Sequence, residues 1–103
     1  MIQDAPRTTG VTLSTEFLLR AHNEIENFKF LKVECPLPVQ KIADVTRQTH
    51  HRLKCLSGNG GIYTVDGFKR GAWGVMPGIG VIDYFIKLYE NFSTGQEERA
   101  RSL

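Results

Sequence analysis

Two cysteines and one tryptophan are all that 103 residues carry of those types, and no apolar run is long enough to cross a membrane. Each shortage excludes something. Cys35 and Cys55 lack the C-x-x-C spacing of a redox or zinc motif and sit in strand-like surroundings, as reduced, buried thiols of a cytosolic protein do. A signal-peptide pattern is also absent, and the expected location is cytoplasmic. Lysines and arginines are scattered, not striped between aromatics, which argues against nucleic acid as a partner. A net charge of +2 is too small to favour any other class of partner. His50 and His51 are adjacent, without the spacing or carboxylates of a metal site, and read as a solvated turn at a helix end. No glycine fingerprint follows the first strand pattern, which weakens a dinucleotide-binding reading.

What is present is an ordinary globular composition, 41% hydrophobic and 23% charged, at the length of one compact domain. Strand and helix patterns alternate. Met1-Ile2-Gln3 reads as a strand end entering the turn Asp4 to Gly10, where Asp4 is a turn former or a site residue. Ser14 is a helix N-cap with Glu16 in the first turn, and Phe17, Leu18, Ala21 and Ile25 recur at helical spacing to about Glu26. Phe28 to Glu34 is a strand pattern. Pro38, whose missing N–H costs nothing at a first helical position, opens a helix to about Thr49. Leu53 to Leu56 predicts a strand, Ile62 to Lys69 a short helix and Ala72 to Val75 another strand. The longest helix begins near Ile79, with Ile82, Phe85, Ile86, Tyr89 and Phe92 on one apolar face; Gly95 stops it, and Gln96 to Leu103 restarts a helix. Trp73 and the aromatics of that helix are expected in the core.

Four strands each followed by a helix require crossover connections, hence a parallel α/β sheet. A doubly wound sheet and part of a (β/α)8 barrel both satisfy this. The unusual residues cluster at strand C-terminal ends: Gln3-Asp4, Lys32 to Glu34, Ser57-Gly58-Asn59 and Met76-Pro77-Gly78. Barrels build their sites at those ends, which favours the barrel.

Phe30-Leu31-Lys32-Val33-Glu34 carries the sharpest chemistry. A lysine inside a sheet buried on both faces must be desolvated, and desolvation favours the neutral amine that Schiff-base chemistry needs. Alternation puts Phe30, Lys32 and Glu34 on one face, so Glu34 stands one pleat above Lys32. It could pair with the ammonium, favouring the charged form, or act as acid and base on a bound imine. The bland alternative is a lysine that snorkels outward from a surface strand. The glycine run Gly58 to Gly61 also has two readings, an anion-binding turn or a flexible connection.

The order Gln-Asp-Ala-Pro-x-Thr-Thr-Gly, Phe-Leu-Lys-Val-Glu, Leu-Ser-Gly-Asn, Arg-Gly-Ala-x-Gly-Val-Met-Pro-Gly resembles the dihydrodipicolinate synthase / N-acetylneuraminate lyase family, as does the closing Phe92 to Arg101 segment. The resemblance implies the C-terminal half of a (β/α)8 TIM barrel, strands five to eight with their helices, so that residues 1–103 form one partial domain truncated at both ends. It implies class I lyase or aldolase chemistry on a 2-oxo acid, pyruvate or a sugar acid, without cofactor or metal. Lys32 matches the Schiff-base lysine, Gly58 and Asn59 the loop after the seventh strand, and Met76 the residue after the eighth whose backbone lies near the oxo acid. Gln3 stands where the typical member has a proton-relaying tyrosine, and Thr8 where many carry an arginine for the substrate carboxylate. Both are departures, and the missing tyrosine makes a sugar-acid dehydratase or aldolase more attractive than the lysine-biosynthesis reaction. The expected partners are a 2-oxo acid and a second copy or a missing N-terminal half, with neither nucleic acid nor membrane. The chain alone is expected to have little activity. Two other readings stand beside this one: a non-catalytic remnant or assembly module, and a small phosphate- or anion-binding α/β domain using Gly58 to Gly61.

Overall fold

A computed structural model describes residues 1–103. Four strands, β1 (Ile2–Asp4), β2 (Phe30–Val33), β3 (Lys54–Ser57) and β4 (Gly74–Val75), form one sheet in the order β1-β2-β3-β4. Every neighbouring pair is parallel. Helices connect them: α1 (Pro6–Thr9) and α2 (Thr15–Glu24), α3 (Pro38–Gln48), α4 (Thr64–Lys69), then α5 (Ile82–Ser93) and α6 (Glu97–Ser102). This is the expected alternation, and with it the parallel sheet.

The local signals act as read. Ser14 caps α2, its Oγ accepting the Phe17 N–H at 3.1 Å. Pro38 begins α3, behind a left-handed Leu37. The turn after β1 tightens into the single helical turn α1, closed by Gly10. The long helix starts at Ile82 instead of near Ile79, after the Pro77 to Gly80 loop.

The two faces of the sheet differ. Leu31, Val33 and Cys55 point to the helix side and join Leu18, Ala21, Ile42, Val45 and Leu53 in the main core. The opposite face carries Phe30, Lys32, Lys54 and Leu56, in the register Phe30 to Lys54 and Lys32 to Leu56, and no helix covers it. A separate small core joins Val65, Phe85, Leu88 and Ala100 of α4, α5 and α6.

Three expectations are corrected. Trp73 is 59% exposed: it stands on the uncovered face, edge-on to Phe30 with ring centroids 5.5 Å apart, and Lys54 Nζ lies 4.9 Å from its ring centre. On α5 only Phe85 of the five expected apolar positions is buried, with Leu88 beside it, while Ile82, Ile86 and Tyr89 face outward. The helix leans on α6 and α4 instead of the sheet, so half its apolar stripe has nothing to cover it. On α2, Phe17 and Ile25 are likewise exposed.

Candidate active site

Each strand ends at the same rim, and the uncovered face brings three of the four ends together. Gln3 and Lys32 are register partners on β1 and β2, so their side chains share that face. Glu34 follows β2, its N–H donating to the Asp4 carbonyl at 2.9 Å, and Gly58 follows β3, its N–H donating to the Val33 carbonyl at 3.1 Å.

Glu34 is the centre of the cluster. Lys32 Nζ lies 3.0 Å from Oε1, the Gln3 amide nitrogen donates to Oε2 at 2.6 Å, and the Asn59 backbone N–H donates to Oε1 at 3.1 Å. The Lys32 and Glu34 side chains are 17% and 19% exposed, so the lysine does not snorkel into solvent. Burial pushes the Glu34 carboxyl upward, but the hydrogen bonds from Lys32, Gln3 and Asn59, with the lysine's charge, outweigh it and hold the group below its ordinary value near 4.5. The arrangement is a carboxylate held by three donors, one of them the Lys32 amine. An amine so placed can attack a carbonyl, and the carboxylate beside it can carry the proton.

Gly58 is required by that packing. A Cβ there would overlap Glu34 Cγ and lie 2.6 Å from Oε1. The glycine loop therefore receives an anion of the protein's own: Asn59 N–H is donated to Glu34, not left free for a ligand.

No family model matches the chain. An L-2-keto-3-deoxyarabonate dehydratase of Azospirillum brasilense is 31% identical over 101 residues, which are 97% of this chain and 32% of that protein. The crystal structure of dihydrodipicolinate synthase from Rhodopseudomonas palustris superimposes with a TM-score of 0.86 at 25% identity, across 97% of this chain and 35% of the other. A candidate dihydrodipicolinate synthetase of Pseudomonas aeruginosa shares the fold with a TM-score of 0.83 at 23% identity, across 97% of this chain and 34% of its own. The chain resembles the dihydrodipicolinate synthase family. It spans about a third of the length of these relatives, and its four parallel strands make half of a (β/α)8 barrel.

The other expected site residues of this dihydrodipicolinate synthase-like chain fall at varied distances from the cluster. Thr8 sits exposed on α1 and makes no hydrogen bond to Gln3, Lys32 or Glu34. Met76 follows β4, its N–H donating to the Ser57 carbonyl at 2.9 Å, and its side chain lines an apolar groove instead of the cluster. Asp4 ends β1 with its side chain turned away from the cluster: it is fully buried on the helix side, with Oδ2 2.7 Å from Lys41 Nζ of α3. Lys41 also donates to the Leu13 carbonyl, tying the loop before α2 to the strand end. Reading the sequence did not single out Lys41. Its place four residues into α3, which packs on β2 and β3, becomes visible only once Asp4 is known to face inward. No group of three or more His, Cys, Asp or Glu side chains converges as metal ligands would.

Proposed function

We propose that this chain is the lysine-bearing half of a Schiff-base lyase or aldolase barrel that acts on a 2-oxo acid. One observation carries the reading: Lys32 Nζ sits 3.0 Å from a carboxylate that Gln3 and Asn59 also hold, at the strand ends where barrels do chemistry. Glu34 takes a proton from the Lys32 ammonium, and the freed amine adds to the ketone carbon of the oxo acid. The carbinolamine oxygen then receives the proton from Glu34 and leaves as water, giving an iminium on Nζ and restoring the carboxylate. The iminium draws electrons from the adjacent carbon, which permits cleavage, condensation or loss of a hydroxyl.

The similarity to an L-2-keto-3-deoxyarabonate dehydratase supports a sugar-acid substrate, with dehydration the reaction. Gln3 favours this over chemistry that needs a phenolic relay, because an amide donates a hydrogen bond but does not shuttle protons. In this reading the substrate carboxylate is held by residues beyond this half-barrel, so the chain by itself traps substrate poorly and turns it over little. The protein is cytoplasmic in the same reading.

Borohydride reduction in the presence of pyruvate tests the proposal. The expected product is a reduced adduct, partial on the chain and complete on an eight-stranded barrel that contains it, mapped to Lys32 and abolished in Lys32→Ala. Absence of adduct in both the chain and a completed eight-stranded barrel that contains it would overturn the reading and favour a non-catalytic module.

A further inference from the structure

Asp4 anchors the end of β1. That strand has three residues, with Ile2 half-buried, Gln3 exposed and Asp4 fully buried. The side chain that fixes it is therefore a carboxylate, where the register partner on β2, Val33, is an aliphatic of the main core. Gln3 and Asp4 point to opposite faces, Gln3 to the site and Asp4 to the helices. No backbone N–H or hydroxyl donates to either Asp4 carboxylate oxygen, which leaves the Lys41 ammonium, 2.7 Å from Oδ2, as the counter-group. The Lys41 side chain is 12% exposed and is itself fixed, through the Leu13 carbonyl, to the loop before α2.

A buried ion pair is a poor device for stability alone. Desolvating both charges cancels most of their attraction, and an apolar pair of similar volume does as well or better. What the pair supplies is direction, because its partners must meet at hydrogen-bond distance. Direction matters here, since two links lead from this residue to Glu34. The Asp4 carbonyl accepts the Glu34 N–H at 2.9 Å, and Gln3, one peptide away, donates its amide to Glu34 Oε2 at 2.6 Å. The backbone of the site carboxylate and one of its side-chain donors thus hang on the same strand end.

We propose that Lys41 and Asp4 are positioning residues: their ion pair, on the face of the sheet opposite the site, sets the end of β1 so that the Gln3 amide meets the Glu34 carboxylate beside Lys32. Neither side chain touches the reacting atoms. The functional meaning of the pair rests on imine chemistry at Lys32, in which Glu34 carries the proton, whereas its geometry can be read on Glu34 alone. Two other titratable groups face these carboxylates. Lys32 stands against Glu34. The thiol of Cys35 lies near Asp4, and burial first and the Asp4 charge second raise it above its ordinary value near 9, so it stays neutral in acid.

The carboxyl carbon of Glu34, labelled with carbon-13 and assigned by its loss in Glu34→Gln, is the reporter for an NMR titration. In the wild-type chain it should titrate below the ordinary value near 4.5. Gln3→Ala should raise that midpoint by about one pH unit, the equivalent of a hydrogen bond to a charged group. Asp4→Val with Lys41→Met removes no net charge and replaces the ion pair by an apolar one, so it should fold yet raise the midpoint by a similar amount. Adding Gln3→Ala to that double variant should change little more, because the amide is already displaced. A folded double variant with the wild-type midpoint would overturn the proposal, as would a Gln3→Ala effect of equal size in both backgrounds. Failure to fold in that variant and also in Asp4→Asn with Lys41→Met would make the pair a requirement of folding and equally overturn it. A protein that titrates as expected but traps no pyruvate, alone or in a completed barrel, would support the positioning role while removing the imine reading, so the two fail separately.

Discussion

Gly58 and Glu34 fit together so closely that no side chain can stand between them. A Cβ built on Gly58 would lie within 3 Å of the Glu34 Cγ, Cδ and Oε1 atoms, so the carboxylate occupies the space that any side chain there would need. The carboxylate lies flat over the glycine, and this lets Oε1 reach both Lys32 Nζ and the Asn59 N–H. A position that reads as loop flexibility in the sequence is a packing requirement of the site.

Gly58→Ala should therefore displace Glu34 from all three donors. The expected cost is about 1–3 kcal/mol of stability by urea denaturation, the range for inserting a methyl into filled space. Borohydride trapping at Lys32 should fall with it. Full stability in Gly58→Ala would mean that Glu34 has another place to go.

Glu34→Gln keeps the shape and removes the charge. At pH 7 it should cost about 2 kcal/mol, the scale of hydrogen bonds to a charged group. Because the folded carboxyl lies below its ordinary value near 4.5, its contribution is present above that value and is lost as pH falls through the folded value. The difference between wild type and Glu34→Gln should shrink when unfolding is measured from pH 7 down to pH 3. A constant difference across that window would show that the charge contributes nothing to folding.

Lys41→Met leaves Asp4 buried without its counter-charge. Breaking such a pair costs roughly 3–5 kcal/mol, and the Leu13 carbonyl loses its donor as well. The double variant Asp4→Asn with Lys41→Met should recover part of the loss, because the uncompensated charge is gone. Thermal unfolding of the two variants decides this: equal melting temperatures would deny the ion pair any role.

The cysteines should be silent in the native protein. Burial pushes the Cys55 thiol up to about 11 from an ordinary value near 9, against a smaller opposing effect of Thr46, and burial first and the Asp4 charge second raise Cys35. Iodoacetamide at pH 8 should label neither until denaturant is added. Because the folded thiols bind protons more tightly than the unfolded ones, stability from this source is intact below about 9 and is lost as pH rises beyond it. Rapid native labelling at pH 8 would place a thiol at the surface.

The sequence by itself determined the alternation of strands and helices, the parallel sheet, the caps at Ser14 and Pro38 and the shared face of Lys32 and Glu34. Those follow from local rules: periodicity, ring closure at proline and the two-residue pleat. Tertiary structure decided what lies beside what across separate segments. It put Gln3 and the Asn59 N–H on the Glu34 carboxylate, turned Asp4 inward to Lys41, and set Glu34 against Gly58. It also decided which half of α5's apolar stripe is covered, since periodicity marks a face as apolar but burial needs a neighbour. Trp73 and Ile86 are exposed here for that reason: their pattern is that of a core, and four strands leave the barrel open where that core would close.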